Sequence, residues 1–376
     1  MSEFAAGPAG RIERVRALMV ERGYDAIVVR DEANLRWLTG VKGVFDYTFE
    51  FPHAAFITAD QCLFHTDSRY LNSFEENTSA GSPWVYDVDE VTIPGWVAGK
   101  IAANKCRVCA VEDDMQINFY QGIQRGLEDR SVACMLPLMH DDIRKMRAIK
   151  DAEEIELMRH AQSITDAAFQ HMLGYIKPGM TEKQVRNELE NFMFANGADS
   201  LAFGSIVASG PNTANPHAVP SDRVIEKGDF VLMDYGAGYC DYRSDMTRTV
   251  VMGEPTQEQL DLYALVRRAH EECVAAIHPG VEGNDIFKLS KKIIGDAGYG
   301  DYYNHGLGHG VGIDIHELPN FNRSKNIIEV GSVITMEPGV YLPGVGGVRL
   351  EDYGVVTENG YEPFTKTPHD LHVIDC

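Results

Sequence analysis

Apolar residues recur at helical spacing near the start of the chain. Ile12, Val15, Leu18 and Met19 share one face, which predicts a helix over residues 9–22. Tyr24-Asp25-Ala26-Ile27-Val28-Val29 then changes to strand character, and residues 53–58 and 61–66 read as a hairpin around Ala59-Asp60. Residues 108–111 read as a further buried strand. This interleaving of helix and strand predicts an α/β domain. The pattern breaks at Leu136-Pro137-Leu138-Met139-His140, and a long charged helix is predicted from about residue 142 to 175. The boundary is placed there, giving an N-terminal α/β domain over residues 1–140 and a second domain over residues 141–376.

The second domain contains an internal repeat. Ile176-Lys177-Pro178-Gly179-Met180 returns as Ile277-His278-Pro279-Gly280-Val281, an offset of 277 − 176 = 101. The same offset takes Val185 to Ile286, Phe192 to Ile293 and Gly197 to Gly298. Each copy reads as the end of one helix, a Pro-Gly turn, a second helix and a closing glycine. An apolar strand follows each copy, and Gly228 with Met233-Asp234 matches Gly331 with Met336-Glu337, an offset of 331 − 228 = 103. A duplicated helix–helix–strand unit predicts an α+β domain with pseudo-two-fold symmetry and a site between its halves.

Composition narrows the function classes. Apolar residues are 44% and charged residues 24%, ordinary for a globular protein, and the formal charge is −22. That balance argues against nucleic acid or an anionic membrane as partner, since both need a positive face. No run approaches the ~18 apolar residues of a membrane span, and the first residues show no signal-peptide pattern. The seven cysteines are odd in number and scattered, which suits reduced thiols and predicts a cytoplasmic protein. Cys106-Arg-Val-Cys109 has zinc-knuckle spacing, but no second pair accompanies it and it lies in strand-like sequence, so it reads as structural.

The chemistry concentrates in the repeat. Asp234 is followed by Asp245, and Glu337 by Glu351, all in apolar, strand-like surroundings where an unpaired carboxylate is costly. Between the pairs lies a glycine-rich stretch with His305, His309 and His316, too rich in glycine for a stable helix. A single buried Asp ordinarily pairs with Arg, and a single His ordinarily packs in a core. Four mirrored carboxylates around a His-bearing loop instead suit a pair of divalent ions. Oxygen-rich coordination favours Mn²⁺, Co²⁺ or Fe²⁺ over a thiolate zinc site. Two ions ~3.5–4 Å apart can share and activate a water and polarise a carbonyl.

HTDSRY (residues 65–70), PHAVPSDR (216–223), MDYGA, SDMTRT, HGLGHGVGIDIHE, MEPGVY and VRLED together resemble the pita-bread metallopeptidases, in the aminopeptidase P and prolidase branch. The resemblance spans essentially the whole chain. It implies a creatinase/prolidase-like N-terminal α/β domain and a pita-bread catalytic domain. It implies that Asp234, Asp245, His309, Glu337 and Glu351 hold two divalent ions, manganese first, with cobalt, iron or zinc as substitutes. Asp245 and Glu351 would bridge them. By the same resemblance Glu337 is general base, His217 and His316 contact substrate, Arg349 orients the site and His305 serves proton transfer. The substrate would be a small peptide with proline in second position, and the enzyme a homodimer.

Dipeptidase and aminopeptidase activities both remain open. Relatives of this fold that act on small molecules, by creatinase-like or ectoine-type C–N hydrolysis or sulfonium lysis, form an alternative. A non-enzymatic peptide-binding module is another. Tyr235, Tyr239 and Tyr242 read as packing, with one of them possible as a pocket wall. His270 and His278 read as surface or helix-end residues, and His53, His65, His140, His160, His171, His369 and His372 have no implied role. Residues 43–53 are aromatic-rich and read as a local hydrophobic cluster, or else as a loop reaching a dimer mate's site.

Overall fold

The computed structural model describes residues 7–44, 51–88, 92–322 and 325–376. The chain divides into two compact units, Met1–Arg147 and Ala148–Cys376.

The first unit runs α1 (Gly7–Arg22), β1 (Ala26–Val29), α2 (Glu32–Thr39), β2 (Ala54–Thr58), β3 (Cys62–His65), α3 (Leu71–Asn77), β4 (Trp84–Asp87), α4 (Ile93–Ala103), β5 (Cys109–Val111), α5 (Ile117–Asp129) and α6 (Asp142–Arg147). Its strands form one mixed sheet in the order β4-β3-β2-β1-β5. The expected hairpin is β2–β3, with Ala54 opposite His65. Ala26 and Val28 pack with Phe56 and Val111 against Trp96, Ile101, Phe119 and Ile123 of α4 and α5. Ile27 and Val29 alternate to the opposite face of β1 and are equally buried.

Cys106 and Cys109 are free and buried, and burial pushes the Cys106 thiol up to about 11. Residues 45–50, the centre of the aromatic segment, lie outside the described residues. On its flank, His53 is buried edge-on against Phe51, Tyr70 and Phe74, as a hydrophobic cluster requires.

The long helix expected over residues 142–175 is two helices, α6 and α7 (Ala152–Tyr175). Three contacts hold the break. Ile149 makes an isolated bridge to Ser332, and the Lys150 N–H donates to Gly331 O at 2.9 Å. The Lys150 ammonium is buried on Glu317 at 3.0 Å. Asp151 then caps α7 in a reciprocal capping box with Glu154. The charge periodicity continues across the break, but tertiary partners take the backbone.

After α7 come α8 (Glu182–Ala195), β6 (Ser200–Leu201), β7 (Ile206–Ser209), β8 (Phe230–Tyr235), β9 (Ala237–Tyr239), β10 (Tyr242–Arg243) and β11 (Met246–Met252). The second half follows with α9 (Gln257–Ala275), α10 (Gly283–Asp296), β12 (Gly308–Gly310), β13 (Glu317–Phe321), β14 (Val333–Met336), β15 (Gly339–Leu342), β16 (Gly346–Arg349), β17 (Asp352–Thr357), β18 (Gly360–Pro363) and β19 (Val373–Ile374).

The repeat is structural. Gly179 and Gly280 have φ of 92° and 88°, and Gly228 and Gly331 both have 89°, a region that favours glycine. The matched residues Thr181 and Glu282 each make an isolated antiparallel bridge, to Val224 and Ile327. In the first half α7 and α8 cover β7, β8 and β11, with Phe169, Met172, Val185, Leu189, Val231 and Val250 in the core. In the second, Cys273, Ile277, Ile286, Ile334, Met336 and Val356 build the corresponding core beneath α9 and α10. Strands β8 and β11 pair antiparallel, as do β14 and β17.

Candidate metal centre

Mirrored strand pairs bring the four carboxylates together. Asp234 is near the end of β8 and Asp245 immediately precedes β11; Glu337 follows β14 and Glu351 precedes β17. Each half thus offers one carboxylate where its first strand ends and one where its second begins. Asp234, Asp245 and Glu351 are buried, and Glu337 is partly so. With His217, His305, His309, His316 and Arg349 they line a cavity of about 420 Å³. All nine residues singled out from the sequence therefore meet in one place. None of Tyr235, Tyr239 and Tyr242 is among its lining residues. Tyr235 donates to Thr165 O and Tyr242 to Glu154, which are packing roles.

His309 shows what the cluster is built for. Its Nδ1 lies 3.1 Å from Gly310 O, a carbonyl that can only accept, so Nδ1 holds the proton. The Nε2 lone pair then faces Asp245 Oδ2 at 3.6 Å and Glu337 Oε1 at 3.5 Å. Burial lowers this imidazole to about 3, so it does not become a cation to meet them. One ligand atom each from Asp245, His309 and Glu351 lie within 4.8 Å of one another. A lone pair among carboxylates repels unless a cation sits between them. Divalent ions fit this donor set.

The carboxylates respond to the same crowding. Burial first, then neighbouring carboxylates, raise Asp245 and Glu351 well above the usual range. Burial also raises Glu337 and Asp234, with Arg349 opposing the shift at both. Arg349 Nη2 donates to Asp234 Oδ2 at 2.5 Å, Nη1 to Tyr341 Oη at 2.9 Å and Nε to Thr247 Oγ1 at 3.0 Å. With Pro216 O as a further acceptor for Nη1, four of its five N–H donors bond within the protein.

His305 continues this network. Its Nδ1 faces Gly306 O at 2.7 Å and so is protonated, which leaves Nε2 to accept from the Tyr341 hydroxyl at 2.9 Å. Burial lowers His305 to about 4. His217 and His316 are exposed at the cavity wall, and His316 stacks edge-on against His309 at 4.3 Å.

Several contributors escaped the sequence reading. Thr247 donates to Glu351 Oε2 at 2.6 Å, and Tyr341 joins Arg349 to His305. Thr247 sits opposite Asp234 in the β8–β11 register, a signal available only once that register is known. His270, read as a surface or helix-end residue, is fully buried on α9 with Asp352 and His369 beside it. That reading was incorrect because the helix face it occupies is covered by β17 and the C-terminal segment rather than by solvent.

Two family models match the chain: Creatinase/Prolidase N-terminal domain over residues 11–149 and Metallopeptidase family M24 over residues 156–358. The chain belongs to metallopeptidase family M24. A curated relative, the Xaa-Pro dipeptidase of Pyrococcus furiosus, is 44% identical over 232 residues, 61% of this chain and 67% of that protein. The solved structure of an Xaa-Pro dipeptidase from Bacillus anthracis superposes with a TM-score of 0.89 at 36% identity, covering 98% of this chain and 100% of the other. An X-Pro aminopeptidase from Thermotoga maritima gives 0.85 at 30%, covering 97% and 100%. The second unit has the pita-bread fold of these M24 neighbours. Among the described residues, no helix is long and apolar enough to cross a membrane.

Proposed function

We propose that this M24 chain hydrolyses the peptide bond preceding proline in short peptides, with two divalent ions held by Asp234, Asp245, His309, Glu337 and Glu351. The observation that carries the reading is the His309 lone pair aimed between Asp245 and Glu337 in a buried carboxylate cluster. The ions supply a positive charge that activates water and polarises the scissile carbonyl. Manganese comes first because the donor set is oxygen-rich, with cobalt, iron and zinc as alternatives. The homodimer extends the reading on family resemblance, and the cytoplasmic setting on the scattered free cysteines.

The side chains divide the work. The Glu337 carboxylate takes the proton from the attacking water and returns it to the proline nitrogen, a secondary amine that must be protonated to leave. His217 and His316 reach the cavity and donate to the oxygen on which negative charge develops. Arg349, whose other bonds go to Tyr341, Thr247 and Pro216 O, holds Asp234 in place. Tyr341 relays that anchorage to neutral His305, which sits ready to share a proton at Nε2.

The named relatives include both an Xaa-Pro dipeptidase and an X-Pro aminopeptidase, so the substrate length is set by experiment. Gly-Pro, a longer Xaa-Pro peptide and creatine-like or ectoine-like compounds are assayed with manganese on one preparation. Turnover of an Xaa-Pro substrate supports the proposal. Turnover of a small molecule alone transfers the chain to the other M24 reaction classes. The five retained donors make a purely peptide-binding role the weakest reading.

A further inference from the structure

A second group of potential metal donors lies outside the cavity. His270 on α9, Asp352 at the start of β17 and His369 in the C-terminal segment bring one donor atom each within 4.8 Å of one another. Asp352 follows Glu351 directly. Side chains alternate across a strand, and Glu351 lines the cavity whereas Asp352 does not.

His270 is the decisive member. It is fully buried, and among the described residues neither ring nitrogen has a hydrogen-bond partner. An imidazole always has one nitrogen that donates and one that accepts, or two that donate, so a buried ring with both nitrogens unpaired is costly. Its Nε2 points at Asp352 Oδ2 from 3.6 Å, too far for a hydrogen bond. It is close to the ~3.3 Å between two ligands of a tetrahedral zinc ion with bonds of ~2.0–2.1 Å.

The surroundings suit the same ion. Asp352 Oδ1 is engaged by Arg248 Nη2 at 2.7 Å, which leaves Oδ2 for the imidazoles. The remaining Arg248 donors go to the carbonyls of Thr247, Glu351, Thr367 and Pro368. His369 Nε2 is 2.6 Å from Asp352 Oδ2, and its Nδ1 faces Glu271 Oε1 at 3.5 Å. A carboxylate behind the second nitrogen of a ligating His is the usual outer support of a zinc site. His369 lies outside helices and strands, so its ring can withdraw by the ~0.7 Å that separates a hydrogen bond from a ligand pair.

We propose that His270, Asp352 and His369 form a separate structural zinc site, with water as fourth ligand. On binding, the proton between His369 Nε2 and Asp352 leaves to solvent and the ion takes its place, while Nδ1 keeps its proton toward Glu271. The site does not depend on what the catalytic cavity holds or on which substrate is cleaved.

Total metal per chain tests it. Manganese-loaded protein is dialysed to equilibrium against excess zinc with manganese retained, and the two metals are summed. The wild type should hold one ion more per chain than His369→Gln, and His270→Gln should match His369→Gln. Asp245→Ala, defective in the cavity, should still lose one ion when His369→Gln is added. His369 is only partly buried, so its substitution tests the site even where His270→Gln fails to fold. Equal totals in the wild type and His369→Gln would overturn the proposal.

Discussion

At the scale of single residues, the site works by placing groups that cannot satisfy one another. Asp245 is buried beside Glu351, Asp234 and Glu337, and its carboxyl is raised well above the usual range. Asp245→Asn keeps the shape but removes the charge. Metal content should fall below that of the wild type, and kcat/KM should drop by about 10³-fold or more, read by metal analysis and Xaa-Pro turnover on the same sample. Full activity in that variant would contradict the ligand assignment. Thr247 offers a subtler test. Its hydroxyl donates to Glu351 and accepts from Arg349, so Thr247→Val should weaken metal affinity by about 10–100-fold while the fold survives. Competition with a chelator reads the affinity.

At the scale of elements, the break between α6 and α7 ties the start of the second unit to the loop that bears His316. Lys150 and Glu317 form an ion pair with side chains only 1% and 5% exposed. Glu317 also accepts from the Asp314 N–H at 3.0 Å, which pins the turn before His316. Lys150→Met removes the buried cation that offsets the Glu317 carboxylate, and should cost about 3–5 kcal/mol in denaturant unfolding. Adding Glu317→Gln should recover part of the loss, and a double variant that loses the full sum would show the pair is not coupled.

Elements also show which features could be read before the structure. Helix–turn–helix repeats, glycine turns and carboxylate positions are local, so periodicity and spacing reveal them. The Lys150–Glu317 pair joins residues 167 apart, and Tyr242–Glu154 residues 88 apart. Nothing in either neighbourhood marks such partners. The helix break was missed because the charge periodicity runs across it: Asp151 with Glu154 is a local capping signal, but the partners that stop the preceding backbone come from the other half of the repeat. His270 was misread because a polar residue on an amphipathic helix defaults to the solvent face, while here Asp352, 82 positions later in sequence (352 − 270), lies against it. The nine residues that line the cavity were visible because each sits in a short motif whose neighbours are also distinctive.

At the scale of the whole molecule, burial couples stability to pH. Burial lowers His270 to about 4, below the ~6.5 of an exposed histidine. As pH falls through 6.5, the unfolded chain takes up this proton and the folded chain does not. Stability from His270 is therefore complete above 6.5 and is lost as pH falls toward 4, by up to about 1.4 kcal/mol per pH unit. The raised carboxylates of the cavity act in the opposite sense, since the folded state holds their protons more tightly. The comparison that isolates the histidine is metal-free wild type against metal-free His270→Gln. Between pH 6.5 and 4 the wild type should lose more stability per pH unit, measured by denaturant unfolding. Parallel pH profiles would contradict the burial argument.

The proposed ions would join the two halves of the repeat through their carboxylates, so their removal should be felt across the second unit. Chelation should lower the midpoint of thermal unfolding, and restored manganese should return it, because a ligand that binds only the folded state stabilises it by mass action. The most direct measurement of the central claim combines two readings on one preparation: divalent metal per chain, and hydrolysis of Gly-Pro and a longer Xaa-Pro peptide. The account predicts about two manganese ions in the cavity and proline-dependent turnover that disappears with chelation and returns with manganese. Metal-free protein that still cleaves these peptides, or fully loaded protein that cleaves neither, would contradict it.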